Sequence, residues 1–164
     1  MNPAILAGVI ASSLKKKFPG RNILVRVPVK GLAISRFVAM EDGAALAGAD
    51  IGLSPDINEV VRLTVKELCE SKHLHNPSML LMAQYAINDF LKKEYPDAGF
   101  TVQAEAPNST TYTASDITYA LFIKGTNIEG NRVTSWVGVT DEEPRQVLDM
   151  VREECDSILG KVYQ

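Results

Sequence analysis

Between Pro3 and Val29 the spacing of apolar residues changes from four to two, and the change falls at Pro19-Gly20. Leu6, Ile10, Leu14 and Phe18 stand four apart with Ile5 and Val9 beside them, which is one stripe of an amphipathic helix. Asn2 suits its cap and Pro3 its first helical position, and Pro19-Gly20 stops it. From Asn22 the pattern is alternation, with Ile23, Val25, Val27 and Val29 on one side, so a strand follows; Pro28 fits an edge position. A chain that uses both periods so early is neither all-α nor all-β, and its apolar faces are best buried by packing helices on a sheet.

The remaining pattern extends this. Lys30-Gly31 can turn the chain into a second strand ending at Met40, after which the glycines of 41–53 permit a short third strand or a loop. Ser54-Pro55 opens a helix striped by Ile57, Val60, Val61, Val65, Leu68 and Cys69, which runs into the sequence KHLHN. Asn76-Pro77 restarts the chain as a helix over Ser78–Glu94, and the short connection predicts an antiparallel helical hairpin. Phe100–Ala106 alternates as a half-buried strand, a polar run follows, and Ile117–Lys124 and Arg132–Val139 read as strands around TNIEGN. Thr140 and Glu143 form a capping box for a last helix with Val147, Met150, Val151, Ile158 and Val162 on its apolar side. The expected fold is a single α+β domain over 1–164. It has an N-terminal helix, a β-hairpin, the helical hairpin, antiparallel C-terminal strands and a final helix on the sheet.

With 46% hydrophobic and 23% charged residues in 164, the chain can bury a real core. No stretch reaches the roughly 18 to 20 apolar residues of a membrane span, so no membrane partner is expected. The apolar run Ala4–Leu14 precedes its lysines, the wrong order for a secretory signal, and a cytoplasmic location is expected. Cys69 and Cys155, both in helical patterns, read as small apolar groups, and the sequon Asn108-Ser109-Thr110 as idle.

Charge is uneven although the net value is only −3. Residues 1–40 hold Lys15, Lys16, Lys17, Arg21, Arg26, Lys30 and Arg36 with no Asp or Glu, and the acidic balance lies beyond them. The macrodipole accounts for the three lysines at the end of a helix, but not for Arg21, Arg26, Lys30 and Arg36, which are the candidate partner-binding residues. Leu121, Ile123 and Trp136 are expected on one face of the last hairpin, with Phe122, Val137 and Val139 on the other. Two apolar faces mark the first set as a candidate interface.

Chemistry-bearing motifs are sparse. Cys69, His73 and His75 fall within one heptapeptide and are the nearest approach to a zinc ligand set, yet no second ligand pair with zinc spacing accompanies them, so no metal is expected. There is no G-x-S-x-G, dinucleotide fingerprint or P-loop, and no catalytic residue or cofactor is assigned. The sequence therefore favours a non-catalytic interaction or assembly module, self-associating or binding an acidic protein surface through its basic N-terminal edge. The alternatives are nucleic-acid contact through the same edge and an enzyme of unrecognised type. The order of elements with an acidic balance resembles that of small secretion chaperones and of ring-forming phage neck or tail proteins, which implies assembly over catalysis.

Overall fold

The change of period at Pro19-Gly20 is a change from helix to strand. The computed structural model of the chain describes residues 3–26, 36–50, 56–107, 109, 117–140 and 144–160. In chain order the elements are α1 (Pro3–Lys17), β1 (Ile23–Arg26), β2 (Arg36–Glu41), β3 (Ala44–Asp50), α2 (Ile57–Leu68), α3 (Lys72–His75) and α4 (Ser78–Glu94). They are followed by β4 (Thr101–Glu105), β5 (Tyr119–Thr126), β6 (Arg132–Val139) and α5 (Pro144–Ile158). The six strands form one mixed sheet in chain order, antiparallel everywhere except between β3 and β4. The α+β architecture expected from the sequence is the one observed.

Local chemistry explains several boundaries. The ambiguous glycine-rich stretch is strand β3, because Asp42 (φ 50°) and Gly43 (φ 86°) both adopt the left-handed conformation of a two-residue hairpin turn. Asp56 caps α2: its Oδ1 accepts the Asn58 and Glu59 N–H groups at 3.0 and 3.4 Å. Ser54-Pro55, the Lys30-Gly31 turn, Pro28 and the Asp141–Glu143 part of the capping box lie outside the described residues. The KHLHN tail of the second predicted helix is the separate short helix α3.

The register sorts the two faces of the sheet. Ile23, Phe37, Ala39, Val102, Ala104, Leu121, Ile123, Val137 and Val139 meet Leu6, Ile10, Leu14, Leu68, Leu80, Leu91, Val151 and Cys155 in one buried core. On the opposite face Leu24, Arg26, Lys124, Thr126, Arg132 and Trp136 are exposed. The expectation for the last hairpin is corrected here. Its five-residue loop pairs Thr126 with Arg132, so even-numbered residues face even-numbered ones: Phe122 pairs with Trp136, and Leu121 with Val137. Leu121 and Ile123 are wholly buried in the protein's own core and are not interface residues; Trp136 remains half exposed.

The order α-β-β-β-α occurs twice, as α1-β1-β2-β3-α2 and α4-β4-β5-β6-α5. In each unit the first helix packs on the first strand and the last helix on the second and third. Three strands per unit, repeated in the same sense, require the third strand of one unit to run parallel to the first of the next, as β3 and β4 do. Their ladder is short: Ala45 pairs with Glu105, and the Ala106 N–H donates to the Ala45 carbonyl at 2.8 Å. Beyond that point α4 completes the hydrogen bonding. Asn88 donates to the Val102 carbonyl at 3.1 Å and accepts the Val102 N–H at 2.9 Å, and Gln84 accepts the Ala104 N–H at 2.9 Å while donating to the Asp42 carbonyl at 2.7 Å. Two side-chain amides on α4 thus occupy part of the place of a strand.

Candidate functional site

The basic residues singled out in the sequence separate into different roles. The β1–β2 register places Glu41 beside Ile23, and so beside the segment that enters β1. Arg21 reaches it with Nε at 3.0 Å and Nη2 at 2.6 Å, and its Nη1 donates to the Leu74 carbonyl at 2.5 Å. Arg21 also lies over the Phe18 ring, 5.1 Å from its centre. It therefore ties the end of α1 to β2 and α3, and its charge is met internally. Arg36 and Asp50 are cross-strand partners and form a bidentate pair at 2.9 and 3.1 Å. Their hydrogen bond is the main cause that raises the Arg36 pKa and lowers that of Asp50. Arg26 is exposed at the end of β1, and Lys30 lies outside the described residues. The four do not make one free basic edge, because two of them face carboxylates that are remote in sequence and adjacent in the sheet.

A different basic surface exists between α1 and α2. A groove of about 440 Å³ is lined by Ser13, Lys17, Asn58, Val61, Arg62, Val65, Lys66 and Cys69. Val61, Val65 and Cys69 supply apolar wall, and the three charged groups among the lining residues are all cations. Arg62 also contacts Glu59 at 3.1 Å, an exposed pair one turn apart that contributes little. The Lys17 ammonium acts on the Cys69 thiol, partly offsetting the burial that raises its pKa. Helical periodicity makes this site: Arg62 and Lys66 are four apart on α2, and Lys17 ends α1, which packs against it. The sequence reading missed Arg62 and Lys66, whose only local signal is that spacing, since their approach to Lys17 is a tertiary fact.

Cys69, His73 and His75 do not converge. The Cys69 carbonyl, and not its sulfur, lies 2.6 Å from His75 Nε2, and the His75 ring meets Phe18 edge-on with centres 5.3 Å apart. His73 is buried, its Nε2 has no hydrogen-bond partner, and its pKa is lowered first by burial and then by Lys72. Among the described residues no group of three or more His, Cys, Asp or Glu side chains is placed to hold a metal. A second cleft, about 550 Å³, is formed where Gly48 and Ser71–His73 approach Pro107 and Thr118. Its charged lining is mixed, with Glu67 and Glu70 opposite in sign to Lys72, and Ser71 and Thr118 each spend their hydroxyl on a backbone carbonyl.

On the open face of the sheet Trp136 stacks with Phe122, ring centres 6.4 Å apart. Other exposed apolar side chains include Met79, Met82 and Tyr85 along α4. No helix among the described residues is long and apolar enough to cross a membrane. Compared with models of protein families, with curated proteins and with solved structures, the chain matches none.

Proposed function

We propose that this chain is a non-catalytic protein-interaction module that takes an acidic, amphipathic segment of a partner into the groove between α1 and α2. The observation that carries this reading is the lining of that groove, an apolar wall whose charged groups, among the described residues, are Lys17, Arg62 and Lys66. An apolar wall rewards a partner with its own apolar side, and Lys17 and Lys66, with Arg62 held only by an exposed contact to Glu59, select carboxylates at the rim of that contact. This shifts the expected basic edge, since Arg21 and Arg36 are paired with carboxylates of the same chain while Lys17 joins two cations from α2. Phosphate recognition along the same edge loses those two guanidiniums, and a bare groove without stacked aromatic rings offers little to nucleobases.

Fluorescence anisotropy tests the reading with a labelled helical peptide carrying Leu on one face and Glu on the other. Binding that weakens with added salt, and that disappears in Lys17→Glu/Lys66→Glu, is expected. A Leu/Lys peptide of the same length should not bind. Failure of the Glu peptide to bind at low salt, or tighter binding of a single-stranded oligonucleotide, overturns the proposal.

A further inference from the structure

We infer that this protein also associates with copies of itself head to tail, the β6 edge of one chain pairing in parallel with the β1 edge of the next. The intramolecular β3–β4 junction is the pattern for this contact. There the third strand of one α-β-β-β-α unit meets the first strand of the following unit in parallel. Among the described residues β6 and β1 are the two strands with a single neighbour, and they are the third strand of the second unit and the first strand of the first.

The β6 edge is suited to receive a strand. It is eight residues long, RVTSWVGV, with no Pro or Lys inside it to blunt pairing. The Asn127 N–H donates to the Asn131 carbonyl at 2.9 Å, which fixes the alternation of bonded pairs between β5 and β6. Odd-numbered residues of β6 then bond β5, and the backbone groups of Thr134, Trp136 and Gly138 point outward. Thr134 and Trp136 are also exposed side chains, as are Leu24 and Arg26 on β1.

Charge selects the partner edge. The helix on β5 and β6, α5, carries Asp149, Glu153 and Glu154 at its surface against Arg145 and Arg152, Asp156 being buried against Tyr95. The helix on β1, α1, ends in Lys15, Lys16 and Lys17 and has no carboxylate, nor has β1. Pairing β6 with β6 of a second copy sets two acidic helices side by side, and pairing β1 with β1 sets side by side two helices whose charged side chains are all positive. Only β6 against β1 opposes unlike charge. Such a contact is heterologous, so assembly continues until a ring closes or a filament forms.

Two edge variants in light scattering of the full chain decide the matter. Thr134→Pro removes an outward N–H without touching the β5 ladder, and Leu24→Asp/Arg26→Glu sets two carboxylates on the open face of the β1 edge, against the exposed Trp136 of the incoming β6. The wild type should gain mass steadily with concentration, each variant alone should remain a monomer, and an equimolar mixture of the two should form a heterodimer and nothing larger. A wild type that stays monomeric at every concentration overturns the inference. So does a Leu24→Asp/Arg26→Glu chain that dimerises alone, which would mean β6 pairing with itself, or a mixture that forms no heterodimer. Should Thr134→Pro unfold, Thr134→Lys blocks the same edge by like charge and takes its place.

Discussion

Replacing Asn88 by Leu probes the least regular feature of the fold, the use of side-chain amides where the β3–β4 ladder stops. Asn88 holds both backbone groups of Val102, a residue 6% exposed, so leucine would leave a donor and an acceptor without partners in a site with little water. An orphaned buried polar group costs about 1–3 kcal/mol. Partial solvent access at the fork between the two units brings the pair to about 2–4 kcal/mol, or a urea midpoint lower by about 1–2 M with the slope unchanged. Asn88→Asp keeps the acceptor for the Val102 N–H but turns a carboxylate oxygen toward the Val102 carbonyl, so it should cost a large part of the same amount. Amide hydrogen exchange gives a local reading: protection of the Val102 N–H should fall by more than that of β5 amides on the far side of β4. A leucine variant within about 0.5 kcal/mol of wild type, with Val102 protection intact, would refute the idea that α4 stands in for a strand.

Other substitutions separate residues that look alike in sequence. Arg21→Ala should cost about 2–3 kcal/mol, since it strands a mostly buried Glu41 and the Leu74 carbonyl, whereas Arg36→Ala, whose partner Asp50 is half exposed, should cost under about 1 kcal/mol; thermal or urea melts compare them. Gly125→Ala should destabilise by about 1–3 kcal/mol, because a Cβ there would overlap Cδ1 and Cε1 of Phe100, and Phe100→Leu in the same chain should recover part of the loss. Stability should decline as pH falls below about 6.5, the ordinary histidine value, because the unfolded chain accepts a proton that buried His73 resists; His73→Gln should flatten that part of the pH profile. Cys155, wholly buried and with its thiol pushed up to about 12, should resist alkylation in the native state, leaving Cys69 as the reactive thiol at neutral pH.

Much of the fold is legible from local periodicity, and the site is not. Pro3, Pro19-Gly20, Pro77 and Glu94 bracket α1 and α4 because helix boundaries are written in neighbouring residues. Asp42-Gly43 is the turn that makes β3 a strand, but the glycines of 41–53 leave strand and loop both open in the sequence. The faces of β5 and β6 were assigned wrongly because register depends on whether the loop sets odd against even residues, a parity that composition does not reveal. The basic edge failed for a related reason. No carboxylate lies between Arg21 and Arg36 in sequence, but Glu41 and Asp50 are brought to them by strand pairing. Arg62 and Lys66 attracted no notice on α2 until α1 placed Lys17 beside them.

Cys69 provides the most direct test of the proposed function, since it is a half-buried thiol in the wall of the α1–α2 groove and its only competitor is buried. The rate of Cys69 alkylation by a small maleimide should fall in proportion to occupancy as the Leu/Glu peptide is added, and the Lys17→Glu/Lys66→Glu chain should show no such protection. An unchanged Cys69 rate under conditions where the peptide is bound would place the acidic segment elsewhere and contradict the account.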